Sequence, residues 1–397
     1  MRNIPGSPVE GGDFFDRPEI LLKLHRLLDN QSNVLLTAPR RVGKTSVILR
    51  LCEQSRQKGW KAVFFNVEGC GDELAFAEKL VSELHRVDLN PDAMTRMSLA
   101  FQRIRAALKG MKFGAGIDVE MGDQEDPECG TLGRAIESAL RKVDDGEQMV
   151  LIAIDELPEL LLNLSKQDHG ATRVERILHW LRELRQTYRR RIRWVFLGSI
   201  GLDGFVEGRN LGKTINDLTP ASLGALTPQE ADRFLETLGN DNNLPIPPET
   251  RDLIIQRVGW PLPHHLQVIF HALVDSGVTE ANTCTLEEAF AFLLRPENLS
   301  QFDTWRQRLD EQFSTEDAVA ARDILKHLCQ HSDGRSRRQI LNALMSTRPD
   351  ADPGKIEDQL ARLLLILQRD GYLLESDGRY SFRSFLLREF WNRREIR

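Results

Sequence analysis

Long apolar runs are missing from this sequence, and none is long enough to cross a bilayer. The N-terminus lacks a basic stretch followed by an apolar one, so no signal peptide is expected and the expected location is cytoplasmic. Cysteine is sparse: Cys52, Cys70, Cys129, Cys284 and Cys329 are scattered, odd in number and without C-x-x-C spacing. That excludes a disulfide framework and a zinc site, and it fits reduced thiols. A large charge excess is lacking too. The net charge of −6 argues against a surface given over wholly to nucleic acid, though a local basic face stays open. What is present is ordinary folded composition, 41% hydrophobic and 28% charged over 397 residues, enough for two or three domains with real cores.

The most informative stretch is residues 34–46. Val34, Leu35 and Leu36 form an apolar run, a turn-prone segment follows, and Val47, Ile48 and Leu51 then recur at helical spacing. Strand, loop and helix in that order are the setting of a phosphate-cradling P-loop. The segment reads Ala38, Pro39, Arg40, Arg41, Val42, Gly43, Lys44, Thr45, Ser46, with Ala38 where the pattern has its first glycine. Backbone N–H groups and the helix N-terminus would surround a triphosphate; Lys44 would add charge on the β and γ groups, and Thr45 would hold Mg²⁺. Alanine is tolerated at the loop entry if its φ stays negative.

Residues 149–154 are apolar throughout and end in Asp155 and Glu156. A strand buried on both faces thus delivers two carboxylates to the edge where ligands of open α/β sheets collect. Downstream of a P-loop, Asp155 is expected to hold Mg²⁺ through water and Glu156 to orient and deprotonate the attacking water.

Other segments fill in the architecture. Residues 1–13, rich in Gly and Pro, read as an extended arm. Asp16 as N-cap, Pro18 in the first turn and Glu19 open a helix, and Phe14, Phe15 or Arg17 could stand beside adenine or simply frame that helix. Residues 61–66 read as a buried parallel strand, 91–108 as a helix, 113–121 as a small hairpin, 122–130 as an exposed acidic loop and 132–143 as a core helix. Arg185, Arg189, Arg190, Arg191 and Arg193 are expected at a helix end, where cations suit the dipole. Thr227, Pro228 and Glu230 spell a capped helix start, and Val258, Gly259, Trp260 and Pro261 precede a helix over 262–273.

On these residues the sequence resembles P-loop ATPases of the AAA+/STAND superfamily, above all the prokaryotic "archaeal-type" AAA ATPases with a C-terminal winged helix. The motifs carrying the resemblance are residues 13–19, the loop 38–45 and Ile154, Asp155 and Glu156. The resemblance implies an α/β fold: a parallel-sheet P-loop NTPase core over 1–222, a helical lid over 223–297 and a winged helix-turn-helix over 298–397. It also implies ATP and Mg²⁺ as cofactors. Ser199, after the apolar run from Trp194, falls where the family has sensor 1, a group near the γ-phosphate. Gly259 and Pro261 match the G-x-P that sets the lid on the adenine side. The arginine that many AAA+ lids carry there is absent. Arg209 is the best-placed candidate for a charge donated to a neighbouring copy's phosphate.

Residues 318–329, 337–344 and 356–367 read as three helices, a hairpin with an Asp377-Gly378 turn follows, and a last helix covers 385–394. Residues 315–397 carry fifteen Lys or Arg against thirteen Asp or Glu, so this third is only slightly basic. Arg335, Arg337, Arg338, Arg379 and Arg383 are the candidates for DNA contact; the apolar middle of the third helix favours packing on the ATPase instead. The function expected from sequence is an ATPase acting as a slow switch or motor in which Mg-ATP arranges core, lid and winged helix. The alternative is a DNA-associated adaptor or loader that holds ATP with little hydrolysis. Self-association or an unidentified protein partner is open; a membrane partner is not expected.

Overall fold

Strands that are apolar over their whole length need cover on both faces, and sheets built from them are parallel. The computed structural model has this form over the residues it describes, 1–15, 17–86, 127–198, 202–207, 209–298 and 300–395. Strands β1 (Asn33–Thr37), β2 (Lys61–Asn66), β3 (Val150–Asp155), β4 (Ile192–Gly198) and β5 (Leu218–Ser222) form one sheet in the order β2-β3-β4-β1-β5, with every pairing parallel. Every residue of β3 and β4 is buried. The strand order puts β4 between β1 and β3, so the two expected motifs leave the sheet two strands apart.

The chain divides into two compact units. The first comprises Asp16–Ala38 and Thr45–Ser222 and holds the sheet. Its helices are α1 (Pro18–Asp29), α2 (Lys44–Gln57, whose first residue is assigned to the other unit), α3 (Glu73–Arg86), α4 (Pro127–Asp144), α5 (Leu157–Ser165), α6 (Gly170–Thr187) and α7 (Leu202–Glu207). Ile152, Ile154, Trp194 and Phe196 face Leu160, Leu161, Leu178 and Leu181 in a continuous core. Trp194 and Phe196, two residues apart on one face of β4, stack with centroids 5.9 Å apart.

Several sequence expectations need correction or placement here. Residues 127–130 are not loop: α4 begins at Pro127, a residue whose missing N–H suits the first helical position. Arg193 does not sit at a helix end; it lies inside β4, 3% exposed, and donates to the carbonyls of Leu28, Arg189 and Ile192. Arg185, in the last turn of α6, is also buried and makes a two-pronged pair with Asp217 at 2.8 Å, so its partner is a carboxylate rather than the helix dipole. Asp16, the helix 91–108 and the hairpin 113–121 lie outside the described residues; the described cap of α1 is Arg17, which makes no side-chain capping bond.

The second unit comprises Met1–Phe15, Pro39–Lys44 and Leu223–Arg397. Helices α8 (Pro228–Asp241), α9 (Pro248–Val258), α10 (Pro263–Asp275) and α11 (Thr283–Leu293) form its lid segment. Thr227 and Glu230 close the expected capping box on α8. The N-terminal arm runs against these helices: Asn3 donates to the Gln267 carbonyl, Asn242 donates to the Met1 carbonyl, and Phe15 meets Phe234 edge-on at 5.2 Å.

After α12 (Ser300–Gln312) come α13 (Thr315–Cys329), β6 (Arg335–Ser336), α14 (Arg337–Thr347), α15 (Pro353–Arg369), β7 (Leu373–Ser376), β8 (Arg379–Phe382) and α16 (Phe385–Glu395). The strands pair antiparallel in the order β6-β8-β7, and Asp377 and Gly378 both take positive φ in the hairpin turn. Three helices with this small sheet make a winged helix. Helix α12 was not legible in the sequence, yet it belongs to the same core: Tyr372 packs edge-on against Trp305 at 5.0 Å and donates to its carbonyl at 2.6 Å.

Trp260 ties the lid segment to the winged helix. Its ring fills the space where Gly371, at φ +89°, would carry a Cβ, and Arg383 lies 5.0 Å from its centroid. Among the described residues no helix is long and apolar enough to cross a membrane.

Candidate functional site

The phosphate loop forms because β1 ends at Thr37 and α2 begins at Lys44, leaving six residues to reverse direction. Arg41 (φ 65°) and Gly43 (φ 89°) both adopt left-handed backbone, with Val42 between them at negative φ. That alternation turns successive N–H groups toward one side, the concave nest that binds anions. A Cβ on Gly43 would meet nothing within 4 Å, so the backbone angle, not space, calls for glycine there. Ala38 keeps a negative φ, the condition under which alanine can stand at the loop entry. Lys44 and Ser46 are each 7% exposed, in the first turn of α2 where its dipole is positive.

The second motif meets the first helix directly. The Thr45 hydroxyl donates to Asp155 Oδ2 at 2.9 Å, and the Glu156 N–H donates to Asp155 Oδ1 at 3.0 Å. Both oxygens of a carboxylate that is 1% exposed are therefore fixed. With its proton spent on Asp155, the Thr45 oxygen keeps its lone pairs for another partner. Among the described residues no group of three or more His, Cys, Asp or Glu side chains clusters as a metal cage. One hydroxyl and one carboxylate are nonetheless a donor set suited to Mg²⁺, which is held by few protein groups together with phosphate oxygens and water.

Glu156 takes a left-handed φ of 59° at the N-cap of α5. Such a conformation costs about 1 kcal/mol or more for a side-chain-bearing residue and is typical of functional positions. Here it turns the chain between the end of β3 and the start of α5. The C-terminal end of β4 lies between those of β1 and β3. Ser199, which follows it, lies outside the described residues.

The remaining expected residues are placed as follows. Arg209 is exposed and folded onto its own segment, its guanidinium 3.9 Å from the Phe205 centroid and donating to the Phe205 carbonyl. Arg17 is 7% exposed at the start of α1. Pro261 is buried, and its carbonyl accepts the Leu226 N–H at 3.1 Å. Sequence reasoning missed His264 and His265, in the first turn of α10; the guanidinium of Arg41 contacts the His264 ring. Burial is the leading cause that pushes Arg41, His264 and His265 toward their neutral forms, His265 to about 3. Two adjacent histidines just inside a helix start were the available signal.

Comparison with known proteins agrees with this geometry at the level of fold. A Walker-type ATPase of Pyrococcus abyssi superposes with a TM-score of 0.65 at 16% identity, over 99% of this chain and 100% of that one. The ORC2 protein of Aeropyrum pernix, solved with ADPNP and ADP, superposes with a TM-score of 0.57 at 13% identity, over 98% of this chain and 95% of that one. No family model matches the sequence, and no curated protein does. The chain thus has the fold of the AAA+ class of P-loop ATPases, with a parallel-sheet core and a C-terminal winged helix.

Proposed function

We propose that the chain binds Mg-ATP on residues 38–46 and hydrolyses it slowly, as a nucleotide-controlled switch. The observation that carries this reading is the 2.9 Å bond between Thr45 and Asp155, which joins the helix behind the phosphate loop to the carboxylate at the end of β3. In this mechanism the N–H groups around Gly43 and the N-terminus of α2 receive the phosphate oxygens, and Lys44 supplies charge at the β and γ groups. Thr45 would hold Mg²⁺ directly and Asp155 would hold it through water, and the ion would supply positive charge to the triphosphate. Glu156 accepts the proton of the attacking water, and Ser199 hydrogen-bonds the γ-phosphate. Phe15, Arg17 and Pro261 are assigned to the adenine end, and Arg209 to a neighbouring copy in a self-associated form.

Nucleotide state is proposed to govern the arrangement of the core (1–222), the lid segment (223–297) and the winged helix (298–397). The Trp260 contact supports lid and winged helix responding together. The alternative, a DNA-associated adaptor, finds less support. Arg337 lies 3.6 Å from Glu357, Arg379 lies 3.1 Å from Asp333, Arg335 lies 3.6 Å from the same Asp333, and Arg383 covers Trp260. Charges already matched by carboxylates release few counterions on meeting DNA.

The test is Glu156→Gln in the full chain. The variant should bind Mg-ATP as the wild type does, with turnover reduced on the order of 10²-fold or more. Turnover equal to the wild type would remove Glu156 from its role.

A further inference from the structure

Arg41 stands in the phosphate loop, with left-handed backbone and a half-buried side chain. Its guanidinium contacts the ring of His264, the second residue of α10. Arg41 and α10 belong to the same compact unit, so this contact is internal to it. The histidine is 7% exposed, and its neighbour His265 is fully buried. Neither ring nitrogen of His265 makes a hydrogen bond of good geometry, although the Trp260 carbonyl is near enough to favour its protonated form slightly.

Two histidines beside an arginine could in principle carry three positive charges, which burial does not tolerate. Burial, the Arg41 charge and mutual repulsion hold His264 well below its ordinary value, and burial followed by Arg41 does the same for His265. Above about pH 6.5 both rings are therefore neutral. A neutral imidazole has one acceptor nitrogen, and the guanidinium has only donors. The chemistry of the pair is thus fixed: Arg41 donates and His264 accepts.

A neutral acceptor is a weak holder of a guanidinium. Phosphate oxygens carry the opposite charge to the fork and receive it through two parallel bonds, where the imidazole offers one neutral acceptor. A phosphate group reaching Arg41 therefore competes with the imidazole and prevails.

We infer that His264 is a positioning residue of the phosphate loop: it holds Arg41 through a neutral ring nitrogen, and nucleotide phosphate displaces it, so that attachment of helix α10 to the loop and occupation of the loop are thermodynamically linked. This rests on the reading that the loop binds nucleotide phosphate. Linkage is reciprocal. Loosening the α10 attachment strengthens nucleotide binding, and nucleotide binding loosens the attachment. Through Trp260, three residues before α10 begins at Pro263, the same displacement bears on the winged helix.

The test is a double-mutant cycle on Mg-ADP affinity, read by isothermal titration with the full chain. His264→Ala should bind Mg-ADP about tenfold more tightly than the wild type, the worth of one lost competing hydrogen bond to a charged group. His264→Gln keeps an acceptor and should return close to the wild-type value, which guards against a merely structural effect of the alanine. In an Arg41→Ala background, His264→Ala should change nothing. An unchanged or weaker affinity in His264→Ala, or an equal effect with and without Arg41, overturns the inference while leaving the nucleotide reading intact. A wild-type chain that binds no Mg-nucleotide overturns both.

Discussion

Acid should weaken the unit that contains α10, and His265 should account for a measurable part of the loss. The ring is fully buried without a well-formed hydrogen bond, and burial depresses its folded value to about 3 from an ordinary 6.5. Because the folded value is the lower one, the unfolded chain takes up the proton first. The stability from keeping this ring neutral is complete above about pH 6.5 and is lost progressively as pH falls toward 3. Between about pH 7 and about pH 4.5 the loss amounts to roughly 2.5 kcal/mol at about 1.4 kcal/mol per unit. His264 is depressed in the same direction and adds to the trend. The assay is urea unfolding of the wild type and of His265→Leu at both pH values, followed by tryptophan fluorescence. Leucine fits an apolar, fully buried position and has no proton to gain. The stability difference between the two proteins should shift by roughly 2.5 kcal/mol in favour of the leucine variant at the lower pH. A difference that stays constant within about 0.5 kcal/mol would show that His265 is hydrated or paired in solution, and the burial argument would fail.

Asp155→Asn removes the charge beside Thr45 while keeping an acceptor for its hydroxyl, so ATP turnover should fall on the order of 10²-fold and require far more magnesium to approach saturation. An unaltered magnesium dependence would detach Asp155 from the metal. Gly371→Ala faces both a left-handed backbone and the Trp260 ring, and should cost about 2–4 kcal/mol of stability in a denaturant melt; pairing it with Trp260→Ala should recover part of that cost. Since Arg337 lies near Glu357, the double variant Arg337→Ala, Arg338→Ala should change duplex-DNA affinity less than threefold, about 0.7 kcal/mol, at moderate salt. A tenfold loss would restore the DNA-reading alternative.

The parts of this fold that were legible in the sequence are those whose chemistry is local. β3 is apolar from Val150 to Ile154, and a run with that pattern can hardly be anything but a doubly covered strand. The Thr227 box and the Asp377-Gly378 turn are spelled by residues three or fewer apart. The candidate site was legible for the same reason, because the loop 38–45 and the pair Asp155 and Glu156 are contiguous words. What was illegible depends on partners far along the chain. Arg193 looked like a helix-end cation; its carbonyl partners include Leu28, more than a hundred residues away. Helix α12 carries only Phe302, Trp305 and Leu309 as a narrow apolar stripe among polar residues, and Trp305 acquires its meaning only when Tyr372 reaches it. The Arg41–His264 contact joins residues whose separation no spacing rule spans.

Trp260 beneath Gly371 also constrains how this protein can change over time. Neither position can be altered alone without strain or a void, so substitutions at the two should be inherited as a pair. Exchanging only the helices before residue 298, or only the winged helix after it, with those of another protein would separate a ring from the hollow made for it. A chimera that transfers residues 223–397 in one block keeps ring and hollow together.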